Sequence, residues 1–212
     1  AFAAGIRTVA DLYDRAHDPA NRELMTYPSP RDGRPINKCW LVPRSRADLA
    51  ARRRAIKFWA DASYGFLGRS PDHVASFFAG FAGSPAFYAR GGQQFADNLL
   101  RFAARAAAED LYISYVIVHP TVDRAKPAHQ QAEPYLYAGA AAERGNGMVI
   151  RGAQMLGTGS VMSDYVLLTV ILPLRPGDED YAISCVVPNG APGLKFYPRR
   201  PYALGPTSVF DY

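Results

Sequence analysis

The sequence predicts an α+β fold in which helices come first and strands follow. Three observations carry this expectation. Capped helical stretches crowd the residues before about 135, and runs rich in β-branched and aromatic residues crowd those after Gly147. The two kinds of signal also do not alternate, as they would around a parallel sheet. A mainly α-helical domain over 1–135 and a β-domain over 136–212 are expected, with residues 127–135 as the connector.

The elements follow in order. Ser45-Arg46-Ala47-Asp48 reads as a capping box that opens a helix running through Trp59 or beyond. Ser70 suits an N-cap, Pro71 the first helical position, and Asp72 the positive end of the helix dipole, so a second helix starts there. Arg69 precedes that start and His73 lies in its first turn, which lets a cation and an imidazole converge on one spot. A third helix runs from about Gln93 to Ala108 after the Gly91-Gly92 break. Residues 111–118 should be extended until Pro120 ends them. Strand signals then cover 148–150, 165–172, 181–187 and 194–197, and Pro-Gly or Asn-Gly dipeptides separate the later ones.

Composition excludes several function classes. Of 212 residues, 49% are hydrophobic and 20% charged, which argues against disorder. The longest apolar run, 165–172, is far too short to span a bilayer, and no basic-then-apolar leader opens the chain. Cys39 and Cys185 share no metal spacing and read as buried free thiols of a reducing, cytoplasmic compartment. Neither His17, His73, His119 nor His129 has the spacing of a zinc site, so no metal is expected. The first 60 residues carry 12 Lys and Arg against 6 Asp and Glu, whereas the rest carry 12 against 13. Arg44, Arg46, Arg52, Arg53, Arg54 and Lys57 form the densest basic cluster, read as a solvated helix face because no nucleic-acid module accompanies it. Gly157-Thr158-Gly159-Ser160-Val161-Met162 begins like a dinucleotide loop but leads into a strand signal rather than a helix. The acidic groups Glu109-Asp110 and Asp178-Glu179-Asp180 read as a helix end and a solvated turn.

Five stretches in sequence carry a family resemblance: Ala10-Asp11-Leu12-Tyr13-Asp14 with Met25-Thr26-Tyr27; Trp40-Leu41-Val42-Pro43-Arg44-Ser45 with Asp48-Leu49 and Arg52-Arg53; residues 68–80 around Arg69 and His73; Ile117-Val118-His119-Pro120-Thr121-Val122-Asp123-Arg124; and Ile150-Arg151-Gly152-Ala153-Gln154-Met155-Leu156-Gly157-Thr158. Together they resemble the large oxygenase component of the 4-hydroxyphenylacetate 3-monooxygenase family. These are two-component flavin-dependent monooxygenases, with chlorophenol monooxygenases and natural-product hydroxylases among their relatives.

The resemblance implies an acyl-CoA dehydrogenase-like architecture: an N-terminal helical domain, then a middle antiparallel β-barrel or sandwich. Both termini look cut by comparison, and a C-terminal helical bundle is expected beyond Phe210-Asp211-Tyr212. It further implies an FADH2-dependent hydroxylase that uses molecular oxygen through a C4a-hydroperoxyflavin. Its partners would be a separate flavin reductase and further copies of itself, as a dimer or tetramer. Carried over residue by residue, the catalytic positions are Arg69, His73 and Tyr115. The flavin-binding positions are Tyr115, Val116, Ile117, Thr121, Val122, Asp123, Arg124 and Thr158. His73 stands where phenylacetate hydroxylases carry a tyrosine, Tyr115 where they carry the catalytic histidine, and His119 where they carry an asparagine. These departures leave the small aromatic substrate open: a free phenol, a chlorophenol, a pyridine-like heterocycle, or an acyl group on a carrier protein. Two other readings stand beside this one. The chain could serve as a non-catalytic assembly module of the same fold. It could also belong to a flavin and iron–sulfur dehydratase like 4-hydroxybutyryl-CoA dehydratase, although a cluster needs several thiolates and neither Cys39 nor Cys185 lies in the matching helical region. On residues alone, Arg69 and His73 are a solvated arginine and a surface histidine at a capped helix, and Tyr115 is a core aromatic.

Overall fold

A computed structural model describes residues 2–145 and 147–199; the stretch Phe210–Tyr212, where the family resemblance ends, lies outside the described residues. Helix α1 (Phe2–His17), which the sequence patterns did not single out, packs Leu12 and Ala16 onto Trp59. The Trp59 indole N–H donates to the Leu12 carbonyl at 2.7 Å, so the tryptophan is buried without an orphaned donor. A short turn of helix α2 (Arg22–Met25) leads into a hairpin of β1 (Thr26–Pro28) and β2 (Pro35–Asn37).

The Ser45 capping box forms at the start of α3 (Arg46–Ala62), where the Ser45 hydroxyl accepts from the Asp48 N–H at 3.1 Å. Asp48 closes the box one residue early, accepting from the Arg44 N–H at 2.8 Å. Helix α4 (Asp72–Ala82) begins one residue later than expected. The Ser70 hydroxyl does not cap it but donates to the Asp72 carboxylate at 2.5 Å, while the Ser70 carbonyl accepts from the His73 N–H. Helix α5 (Pro85–Ala89) precedes α6 (Gln93–Ala108), whose start follows Gly92 as expected. Val74, Ala75 and Phe78 of α4 meet Ala106 and Phe102 of α6, Trp40 and the following strand in the main core.

That strand, β3 (Ile113–Val116), occupies only the middle of the predicted extended stretch. It pairs in parallel with β6 (Tyr165–Leu168), which in turn pairs antiparallel with β7 (Cys185–Pro188). A separate hairpin joins β4 (Gly139–Arg144) to β5 (Gly147–Arg151). Four expectations need correction. The strand expected over 165–172 stops at Leu168, where its partners Val116 of β3 and Cys185 of β7 end the pairing. The one expected over 181–187 starts only at Cys185, after a single 3₁₀ turn at Glu179–Tyr181. Residues 194–197 form no strand; they follow the left-handed turn at Gly193, the Leu194 N–H donates back to the Ala191 carbonyl, and no strand pairs with them among the described residues. The antiparallel barrel or sandwich is not formed by the described residues: their sheets are small, and the one at the core contains a parallel pair. That core sheet draws β3 from before residue 135 and β6 and β7 from after it.

Candidate active site

The first turn of α4 is fixed from behind. The Arg52 guanidinium donates to the carbonyls of Cys39 (2.5 Å) and Leu41 (2.7 Å) and to the Ser76 hydroxyl (2.8 Å), and Ser76 in turn donates to the Asp72 carbonyl. Arg52 is therefore not part of a solvated basic face: it is 7% exposed. Burial holds its pKa below the ordinary arginine value, with the Asp72 charge and others opposing.

On this support α4 presents His73 and, one turn later, Phe77. The His73 ring lies 5.4 Å from the Tyr115 ring at 31° and 5.0 Å from Phe77, and Phe77 lies 5.7 Å from Tyr115. The Arg69 guanidinium sits over the Tyr115 ring, 5.3 Å from its centroid, within cation–π range. Arg69, His73 and Tyr115 are thus brought together, from a loop, a helix start and a strand. The surface-histidine reading is corrected, since His73 is half-buried and its Nε2 is shielded from solvent without a hydrogen-bond partner among the described residues. Burial first, and the Arg69 charge second, lower its pKa, so the imidazole is neutral near pH 7.

The Arg69 main chain is held as well. The Tyr112 hydroxyl donates to its carbonyl in a short hydrogen bond. Tyr112 also abuts the turn that carries Thr158, because a Cβ on Gly159 would lie 2.5 Å from the same hydroxyl. In that turn Thr158 is exposed, and Leu156 adopts φ 64 with its side chain 71% exposed. A leucine in the left-handed region is strained, as residues at ligand clamps often are. The turn packs on the candidate flavin strand: a Cβ on Gly157 would meet Val116 Cγ1 at 3.0 Å, and the Met155 N–H donates to the Val118 carbonyl at 2.7 Å. Ile117 is half-buried between them. Beneath lies a buried hydroxyl network, Ser114 to Ser160 at 2.8 Å and Ser163 to Ser114 at 3.1 Å, which locks β3 to this turn.

Thr121, Val122, Asp123 and Arg124 lie apart from the Arg69 cluster. Val122 packs against Ala128, Tyr137 and Tyr181, while Asp123 accepts from the Ala125 N–H and pairs with Lys126 at 3.4 Å. Thr121, Asp123 and Arg124 are exposed. The neighbouring His119 stacks on Tyr137 at 4.2 Å. Glu109-Asp110 do follow the end of α6 at Ala108, and Glu179 and Asp180 are exposed, but Asp178 needs correction. Asp178, expected on a solvated turn, is 2% exposed and accepts from the N–H groups of His129 and Arg175 and from the His129 ring. Burial pushes its carboxyl up, but those hydrogen bonds outweigh it and hold the pKa low. Asp110 is likewise engaged, by His17 at 3.0 Å and the Trp40 indole at 3.4 Å. Both cysteines are free, Cys39 buried and Cys185 half-buried, and burial raises both thiols. The described residues contain no cluster of three or more metal-ligating side chains.

Three contributors escaped the sequence reading. Phe77 carried a signal, lying four residues after His73 and so on the same helix face. Arg52 shares its helical stripe with Ala55 and Trp59, both buried, which marks it as inward-facing. Tyr112 carried none, since an aromatic in an extended run reads equally as core.

A family model described as 4-hydroxyphenylacetate 3-hydroxylase N terminal matches residues 1–212. The 4-hydroxyphenylacetate 3-monooxygenase oxygenase component of Thermus thermophilus is 34% identical over 211 residues, covering 100% of this chain and 42% of the relative. A (3S)-3-amino-3-(3-chloro-4-hydroxyphenyl)propanoyl peptidyl-carrier-protein monooxygenase of Streptomyces globisporus is 34% identical, covering 96% of this chain and 37% of the relative. A crystal structure of a 4-hydroxyphenylacetate 3-monooxygenase oxygenase component, complexed with FAD and 4-hydroxyphenylacetate, superposes with a TM-score of 0.78 at 34% identity. That match covers 88% of this chain and 38% of the other. The α+β fold and the matches together align this chain with the N-terminal portion of these relatives. This chain belongs to the 4-hydroxyphenylacetate 3-hydroxylase family and spans about two fifths of the length of the relatives it matches.

Proposed function

We propose that the protein carrying this chain is the oxygenase component of a two-component monooxygenase that hydroxylates an aromatic, phenolic or heteroaromatic ring with reduced FAD and dioxygen. The observation that carries this reading is the convergence of Arg69 and His73 on Tyr115, the guanidinium over its ring and the imidazole beside it at 5.4 Å. The residues fit a planar redox group and a phenol. Tyr115 and Phe77 offer aromatic walls, the shielded His73 Nε2 lacks a partner, and Leu156 and Thr158 leave an exposed apolar and hydroxyl rim. Tyr115, Val116, Ile117 and Thr158 would hold the flavin, with Thr121, Val122, Asp123 and Arg124 reaching its more distant parts. Bound reduced FAD supplies, with dioxygen, the electrophilic oxygen.

The chain's own residues do the rest. The neutral His73 accepts the phenol proton at Nε2, which its lowered pKa permits near pH 7. The Arg69 guanidinium stabilises the negative charge that grows on the phenol oxygen, raising electron density at the neighbouring ring carbon. Phe77 and Tyr115 confine the ring and exclude water. The finer architecture is proposed with this reading: a helical domain over 1–135, a β-domain over 136–212 and a closing helical bundle in the acyl-CoA dehydrogenase manner. A separate reductase, a cytoplasmic setting and a homo-oligomer complete it. Among the described residues no helix is long and apolar enough to cross a membrane.

The test supplies the whole protein with reduced FAD from a reductase and offers phenols, chlorophenols and carrier-tethered tyrosines. Hydroxylated product should form with at least one class at the expense of hydrogen peroxide. An assembly module would release the same peroxide with or without any phenol, and that result would sink the proposal.

A further inference from the structure

We infer that Tyr112 is a positioning residue for this site: its buried hydroxyl holds the Arg69 main chain where the guanidinium covers Tyr115, and braces the turn that presents Thr158. The inference rests on the proposed phenolate-stabilising role of Arg69.

The geometry starts from how Tyr112 is itself fixed. Its N–H donates to the Asp164 carboxylate at 2.8 Å and its carbonyl accepts from the Asp164 N–H at 2.8 Å, so the strand entrance cannot slide. The side chain is 3% exposed and reaches two places at once. On one side it donates to the Arg69 carbonyl. On the other it fills the space that a side chain at Gly159 would need, which matches glycine there at φ 82. Burial pushes the phenol up to about 12, so it remains a donor throughout the neutral range.

The Arg69 loop has little else to hold it. Between Phe66 and Arg69, the bond to Tyr112 is the one hydrogen bond to a distant element among the described residues. Half-buried Leu67 packs on the Leu12 and Trp59 cluster, but Phe66 is 92% exposed and Gly68 is open to solvent, so no polar contact other than the Tyr112 bond fixes the Arg69 main chain among the described residues. Among the described residues the Arg69 side chain bonds only to the adjoining Gly68 carbonyl besides its stacking on Tyr115. Tyr115 lies three residues beyond Tyr112 on the same strand run, so one tyrosine sets the spacing between cation and ring. A guanidinium displaced by even about 1 Å stabilises charge at the wrong place, and such errors are expensive for catalysis.

The experiment uses 4-nitrophenol as a coloured probe bound to the whole protein with oxidised FAD, and reads the phenolate fraction against pH. A cation at the phenol oxygen favours phenolate, which lowers the apparent pKa of the bound probe. Arg69→Ala should abolish that shift. Tyr112→Phe should weaken the phenolate preference about tenfold, one pKa unit, while melting temperature and FAD affinity stay near wild type. Asp178→Asn weakens the buried hydrogen bonds to His129 and Arg175 and touches neither Tyr112 nor Arg69, so it should lower the melting temperature and leave the phenolate preference alone. A wild-type phenolate preference in Tyr112→Phe overturns the inference, and so does an equal loss in Asp178→Asn, which would make the effect one of general stability. If Arg69→Ala itself keeps the shift, the failure lies with the role given to Arg69, and the inference falls with it.

Discussion

His73 and Tyr115 exchange the residue types that the family resemblance places at these two positions, and their rings meet at 5.4 Å. Contact makes their substitutions interdependent. His73→Tyr and Tyr115→His should each depress hydroxylation, and the double variant should recover part of the loss and shift preference toward simple 4-hydroxyphenyl acids. A coupling energy of about 0.5–3 kcal/mol from the cycle is expected, and simple additivity would mean that the two do not share a substrate. A second residue-scale outcome concerns pH. Burial depresses His119, opposed by the Asp178 charge; burial and then Arg69 depress His73. A histidine depressed in the folded state takes its proton more readily when unfolded. Its contribution is therefore whole above the ordinary value of 6.5 and drains as pH falls through that value toward the folded one. Asp110, raised by burial, works in the opposite direction, so the useful reading is a difference between proteins. Urea midpoints should fall less between about pH 7 and about pH 5 in His119→Asn than in wild type; identical slopes would contradict the assignment.

Elements were legible where local chemistry decides them and obscure where distant contacts do. The Ser45 box and the Gly92 break marked α3 and α6 because each acts within one turn. The strands were mis-sized because strand signals measure fitness for a half-buried pleat, and pairing decides where it ends. β6 pairs with β3 over residues 165–168 only, and the apolar residues Ile171 and Leu172 beyond it are exposed. The Arg69 and His73 convergence could be read from a helix start, yet its partner Tyr115 came from family resemblance, since nothing local says which strand faces which helix. Arg52 shows the reverse failure: a charge invites a solvent reading although its helical stripe is buried. Removing it strands the Cys39 and Leu41 carbonyls and frees the first turn of α4. Arg52→Ala should cost about 2–4 kcal/mol in denaturant unfolding, and Arg52→Lys should restore only part, because an ammonium is not a planar fork. A loss below about 0.5 kcal/mol would return Arg52 to the solvated face.

At the scale of the molecule, the described residues leave large apolar side chains in solvent: Tyr64 at 87%, Phe66 at 92%, Leu156 at 71% and Ile171 at 63%. Exposed apolar surface on this scale marks contact sites or association liabilities. Ligand sites normally enclose about 70–90% of the bound molecule, and Leu156 and Thr158 form an open rim instead. Residues 1–212 produced alone should therefore bind FAD weakly, self-associate, and release peroxide without hydroxylating. Tight FAD binding with coupled hydroxylation by this stretch, read from fluorescence titration and product yield, would show that it needs no further wall.

The central claim is that Arg69, His73 and Tyr115 direct oxygen from dioxygen into a phenol ring. Its most direct test gives the whole protein reduced FAD, an accepted phenol and dioxygen carrying the heavy isotope, with product followed by mass spectrometry. The account predicts one heavy oxygen per hydroxylated product, and a fall of about 10²-fold in that product for Arg69→Ala with FAD affinity retained, the scale typical of losing one charge-stabilising donor. Product without the label, or an Arg69→Ala protein within a few-fold of wild type, would contradict it.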